Sequence, residues 1–375
     1  MFAYYQRLLF AGLLGLAPVA GFAETIATAT GPIRVDTLVT GLNAPWGLAV
    51  LPDGRMLVTE KAGGIRLVNA AGNSVAAVTG GPATVQDGQG GYLDIAIDPQ
   101  FITNGRIYMT FAEAGAGGAG VAVLRARLSG TVLVDKQIIW RVTPKTGSGP
   151  QGVEGANHYG SRLLFNKAGQ LLVSLGDRFL FTPSQDPGTA IGKIVRITTD
   201  GAPAPGNPFA TRAGYLPEIY TLGHRNPQGL AMNPNNGAIW SVEHGPSGGD
   251  ELNVIFAGAN YGWPDVSWGN GYDGTDYPDH NTKPRFRLPT RWWTPRIAPS
   301  NLAFYRGTAI PAWRGNLLIG SMGENAIIRL SVSGINITNE ERIPIGERVR
   351  DIEVDPQGRV FILTDDGNLK RLTRP

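Results

Sequence analysis

A phrase repeated six times constrains this chain more than any other feature. It reads WGLAVLPDGRMLVTE from Trp46 and LDIAIDPQFITNGRIYMTF from Leu93. It returns as SRLLFNKAGQLLVSLGD from Ser161 and QGLAMNPNNGAIWSVEHG from Gln228. The last two copies are SNLAFYRGTAIPAWRGNLLIGSM from Ser300 and VRDIEVDPQGRVFILTDD from Val349. Each copy is an alternating apolar run, a turn rich in Pro, Asn, Asp or Gly, and a second alternating run. Period two interrupted by turn chemistry is a β-hairpin. One hairpin cannot bury its own faces, whereas small sheets repeated around a ring can, and they leave few exposed edges. Six copies predict an all-β fold: a six-bladed β-propeller of four-stranded antiparallel blades, occupying residues 24–375. Two long stretches between copies, TDGAPAPGNPFATRAGY and WGNGYDGTDYPDHNTKP, read as loops. Propeller loops gather at the channel mouth, so the functional site is expected there.

Composition agrees with many short strands and tight turns: 52 Gly, 27 Pro and only 17% charged residues. The formal net charge is +3 and no Lys/Arg block stands out, which argues against nucleic-acid binding. There is no cysteine, so disulfides and thiolate chemistry are excluded. The start of the chain pairs Arg7 with a short apolar run over residues 8–20, then small residues at Gly21 and Ala23. This reads as a secretory signal over residues 1–23, predicting a periplasmic or secreted protein. No later stretch is long and apolar enough to span a membrane.

Polar residues cluster beside the hairpins, in QDGQGGYLD, ANHYGSRL, SLGDR, LGHRNPQGLA, EHGPSGGDELN, NYGWP and ERVRD. No H-E-x-x-H zinc motif occurs. The glycine-rich AGAGGAG at 114–120 has no helix after it to bind phosphate, and reads as a flexible loop.

The ordered set GHRNPQGLA, EHGPSGGDELN and GANYGWP, spanning residues 223–264, has GQGG before it and RVRD after it. It resembles the soluble pyrroloquinoline quinone (PQQ)-dependent glucose and aldose sugar dehydrogenases, over nearly the whole mature chain. The resemblance implies that His158 is the general base that takes the proton of the anomeric hydroxyl. Asp177 matches the carboxylate that orients this histidine. Gln89 matches a polar contact in the substrate and cofactor site. Arg225 and Asn226 match residues beside the quinone carbonyl, and Arg348 and Arg350 match a pair that holds cofactor carboxylates. That pair alternates along a strand, so both face one side only if the strand bends or ends there. Gly245 and Pro246 match a turn whose carbonyls bind calcium, and Glu251 with the Tyr261 carbonyl resembles a second calcium site. Asp250 and Tyr272 are further candidates for the cofactor and its polar network. His224 reads as structural, and Trp263 as core.

Three positions depart from the family pattern. Asn157 stands where the glucose enzymes have aspartate, His244 where they have glutamine, and Gly323 where relatives commonly have a cofactor-binding lysine. Arg296 is the candidate replacement for that lysine. The expected activity is oxidation of aldoses at C1 to lactones, with electrons passed to an acceptor the sequence does not name, by a monomer or homodimer. Two alternatives stay open. A calcium-dependent, lactonase-like hydrolase would need calcium but no arginines for a tricarboxylate. A non-catalytic propeller would bind sugar or protein.

Overall fold

The computed structural model describes residues 23–147 and 156–375. The expected signal sequence therefore lies outside the described residues, apart from Ala23. Six antiparallel sheets form a six-bladed β-propeller. The innermost strands are Pro45–Val50, Tyr92–Ile97, Gly160–Phe165, Pro227–Met232, Pro299–Phe304 and Val349–Val354. Each repeated phrase supplies the two inner strands of one blade. The second strands, such as Leu171–Leu175 and Val360–Thr364, are buried throughout because neighbouring blades cover both faces. Apolar clusters accordingly run between blades, with Val123 and Tyr108 of the second packing against Leu171 and Val195 of the third.

The sixth sheet differs from the other five. Its strands Val349–Val354, Val360–Thr364 and Leu369–Thr373 come from the end of the chain. Ile33–Val39 and Ala23–Ile26 are added from its beginning, making five strands. Arg34 pairs with Thr373 across this seam. The AGAGGAG stretch is ordered, contrary to the loop expectation. Arg106–Gly115 and Gly118–Ser129 pair up to Gly115 opposite Gly118, and Gly117 and Gly118 take the positive φ that the tight turn requires.

Every innermost strand carries a register shift near its start, between Pro45 and Leu48 in the first blade and between Val349 and Asp351 in the sixth. A bulge leaves a ladder N–H unpaired and re-aims a side chain. In three blades a hydroxyl of the second strand satisfies that donor. Thr59 Oγ1 accepts from Gly47 N, Thr110 Oγ1 from Asp94 N, and Ser174 Oγ from Arg162 N, at 2.9–3.0 Å. The same hydroxyls donate to the next blade's inner strand, at Leu93, Ser161 and Pro227. The bulges therefore tie adjacent blades together, and they do so at the end of the channel where the polar residues gather.

Candidate active site

At that end lies a cavity of about 300 Å³. Its walls come from the starts of the innermost strands and from residues that follow the second strands. Gln89, Asn226, Gly245, Pro246, Asp250, Tyr272, Arg296, Arg348 and Arg350, all expected from sequence, line it. So do two of the three departures, His244 and Gly323, and Lys61, which sequence reasoning missed. Four basic side chains (Lys61, Arg296, Arg348 and Arg350) face the cavity with one carboxylate, Asp250.

His158, Asp177 and Arg225 adjoin this cavity rather than lining it. His158 is 5% exposed and sits at φ 48°, a conformation that costs energy for a non-glycine residue and needs support. Gln89 Oε1 provides part of that support by accepting its backbone N–H at 2.9 Å. The ring Nδ1 lies 2.7 Å from Asp177 Oδ1, which leaves Nε2 without a partner among the described residues. Asp177 is fully buried; its other oxygen accepts from the Trp263 indole at 2.7 Å. Trp263 is thus core, as expected, and also holds the carboxylate in place. Burial pushes the His158 imidazole down to about 4, against the pull of Asp177 and with the help of the Arg225 charge. Burial alone would raise Asp177, but the charge and hydrogen bond from His158 lower it. The pair at neutral pH is a neutral imidazole held by a carboxylate, with one ring nitrogen free to accept a proton.

Arg178, Phe179 and Phe181 all have positive φ in the stretch that follows Asp177. This turn lays the Phe179 ring on His158 at 4.7 Å and parallel to Tyr272 at 6.1 Å. Arg225 lies among Trp263, Tyr272 and Phe179, with its Nη1 bonded to the Gly245 carbonyl at 2.6 Å. Its buried Nε has no partner among the described residues, so the guanidinium retains a donor for a ligand. Asn226 Oδ1 accepts from Gly160 N and Gln228 Nε2. His224 bonds Thr221 and Glu243 and is structural, as expected.

Arg348 and Arg350 do face the same side. Both bind Asp365, at 2.9 and 2.7 Å, because the bulge between Val349 and Asp351 breaks the alternation at Arg350. Arg296 is exposed at the rim and has no ion pair among the described residues. Asp250 has a structural task as well: it accepts from Gly245 N and Ala298 N, joining the two turns that carry Gly245 and Arg296. Lys61 donates to the Gly88 carbonyl at 2.9 Å; burial, then repulsion from Arg350, lowers its pKa. Its signal was positional. It follows the second strand of its repeat, as His244, Met322 and Asp365 follow theirs.

The cation excess and the orphaned Arg225 donor suit a polyanionic quinone. The calcium candidates fit less well. Glu251 is paired with His280 at 2.8 Å and with Asn253, while the Gly245 carbonyl already accepts from Arg225. Calcium takes six to eight oxygen ligands. Among the described residues no three His, Asp or Glu side chains converge on a metal position.

The chain belongs to the glucose/sorbosone dehydrogenase family, whose model matches residues 42–372. It is 36% identical to the aldose sugar dehydrogenase YliI of Escherichia coli over 361 residues, 94% of this chain and 95% of that protein. A solved glucose dehydrogenase superposes with a TM-score of 0.84 at 39% identity, covering 91% of this chain and 99% of that one. The PQQ-bound aldose sugar dehydrogenase of Streptomyces coelicolor gives 0.74 at 27% identity, covering 95% and 99%. No helix among the described residues is long and apolar enough to cross a membrane.

Proposed function

We propose that this protein is a PQQ-dependent aldose dehydrogenase that oxidises sugars at C1 to lactones in the periplasm. The observation that carries this reading is the neutral, carboxylate-held His158 beside a cavity with four cations and one carboxylate. When bound, PQQ supplies a hydride acceptor. The protein's own residues do the rest. Arg348, Arg350 and Arg296 hold carboxylates at the cavity wall, with Lys61 near Arg350. Arg225 presents a fixed positive charge where negative charge builds up on reduction. His158 Nε2 takes the proton of the sugar's anomeric hydroxyl. Asp177 keeps the other nitrogen protonated and stabilises the imidazolium that forms. Phe179 and Tyr272 line the approach to His158 and keep water from it. Gln89 and Asn226 hold the local backbone. Reoxidation requires an external electron acceptor. A hydrolase would have no use for this excess of cations.

The test is direct. Purified protein is mixed with PQQ, and the cofactor absorbance is followed on adding an aldose. Bleaching by wild type, and its loss in His158→Ala with PQQ still bound, is the expected result. Absence of PQQ binding by the wild-type protein would remove the reading.

A further inference from the structure

Two cavities with different linings lie along the channel among the described residues. The upper one is the candidate active site. The lower one, about 560 Å³, opens at the opposite end and is lined by Asp94, Asn301, Glu353 and apolar side chains such as Leu164 and Met232. Between their walls lies the side chain of Arg162, which is 1% exposed. Its Nη1 lies 3.0 Å from Asp94 and 3.1 Å from Asp351. Its Nε donates to the Gln228 carbonyl at 2.7 Å, its Nη2 to the Arg350 carbonyl at 3.1 Å, and its guanidinium stacks on Trp46 at 4.1 Å. Asp351 in turn accepts from Leu48 N and from Asn301 Nδ2, both at 2.7 Å. One guanidinium and two carboxylates thereby join the innermost strands of all six blades.

A planar fork with five donors suits this position as a lysine would not. Buried charges are tolerated only when paired and hydrogen-bonded, and this set is. The partners are also informative. Trp46, Gln228 and Arg350 are walls of the upper cavity, whereas Asp94 and Asn301 are walls of the lower one. Arg350 is the bulged residue that faces the proposed cofactor. Asp365 holds its side chain, and Arg162 holds its carbonyl from beneath.

We propose that Arg162 is a positioning residue for the upper cavity: it forms the floor and fixes the bulge that aims Arg350 at an anionic ligand. The inference rests on the quinone reading only for the identity of that ligand.

The test compares Arg162→Lys with Arg329→Lys in the full chain. Arg329 is a matched control, since it is also buried and paired, with Glu341, but lies away from the cavity. Amide hydrogen exchange is measured without cofactor over residues 44–48 and 348–352, and PQQ affinity by titration. Arg162→Lys should speed exchange in both segments and weaken PQQ binding by roughly tenfold or more, the size of one lost charge-assisted contact. Arg329→Lys, at a comparable fall in melting temperature, should change neither. If Arg162→Lys does not accumulate folded, Asp94→Asn removes one of the same contacts and should shift both readouts in the same direction by less. Exchange in the two segments no faster than in the control overturns the proposal. So does unchanged PQQ affinity in a variant whose wild type binds PQQ. Failure of the wild type to bind PQQ would remove the quinone reading instead, and the exchange measurement alone would then decide the role of Arg162.

Discussion

Gly323 lies against the carbonyl of Ile297: its N–H donates to that oxygen at 2.9 Å, and a Cβ at 323 would stand 2.7 Å from it. The missing lysine and the presence of Arg296 are therefore linked. The turn that carries Arg296 occupies the space a side chain at 323 would need. Gly323→Lys should not restore a cofactor contact. It should lower stability by about 1–3 kcal/mol, as overpacking against backbone does. A thermal melt and a PQQ titration on that variant decide the matter, and tighter binding would contradict the packing argument.

Arg296→Ala should weaken PQQ binding by about 5- to 20-fold. That is the low end for a charge-assisted contact, because solvent screens an exposed arginine. Equal dissociation constants for variant and wild type would mean that Arg296 is only a surface residue.

Arg350 should matter more than Arg348. Its side chain is 19% exposed against 50%, and less solvent screening means a stronger pull on the same carboxylate. Arg350→Ala is expected to raise the dissociation constant at least several-fold more than Arg348→Ala does. The reverse order would show that the bulge does not aim Arg350 as described.

The low pKa of His158 sets the pH response. Its folded value, about 4, lies below the ordinary 6.5, so the ring is neutral in the native state through the neutral range. kcat/KM should stay flat as pH falls through 6.5 and drop only as pH approaches about 4, insofar as His158 governs the profile. The unfolded state binds the proton more readily, so the His158 contribution to stability is complete above pH 6.5 and is lost progressively between about 6.5 and 4. A rate profile with its acid limb near 6.5 would show that His158 is solvated in the working enzyme.

Asp177→Asn should cut kcat by roughly 100- to 10,000-fold, because the imidazolium loses its counter-charge. It should also move the acid limb down, since Asp177 is what raises the His158 pKa. Trp263→Phe removes only the bond to the second oxygen and should act in the same direction, more weakly. An acid limb that moves up in Asp177→Asn would reverse the assigned roles.

Much of this was legible in the sequence because hairpins announce themselves through local pattern. The six phrases mark the inner strand pairs residue by residue. The seam could not be read the same way, since nothing in IRVDTLV says that its partner is LKRLT at the far end. Bulges hide for a related reason: Arg348 and Arg350 look as if they face apart until the register shift is seen. Arg162 was part of a repeat phrase and read as ordinary strand. Its importance comes from five partners scattered over the chain. Lys61 was discoverable, had the residues after each second strand been compared with one another.

Asp36 and Arg371, which share an ion pair in the sixth blade, are 335 residues apart in the chain. The hairpin of Ala23–Ile26 and Ile33–Val39 thus waits for Leu369–Thr373 before it joins a blade. Until Leu369–Thr373 arrives, Ile33–Val39 pairs only with Ala23–Ile26, and its other edge is open to pairing with the wrong strand or with another chain. Productive folding must keep that open edge free until Leu369–Thr373 pairs with it. Destabilising the last strand should accordingly appear first as aggregation of new chains, before it appears as a lower melting temperature of finished ones.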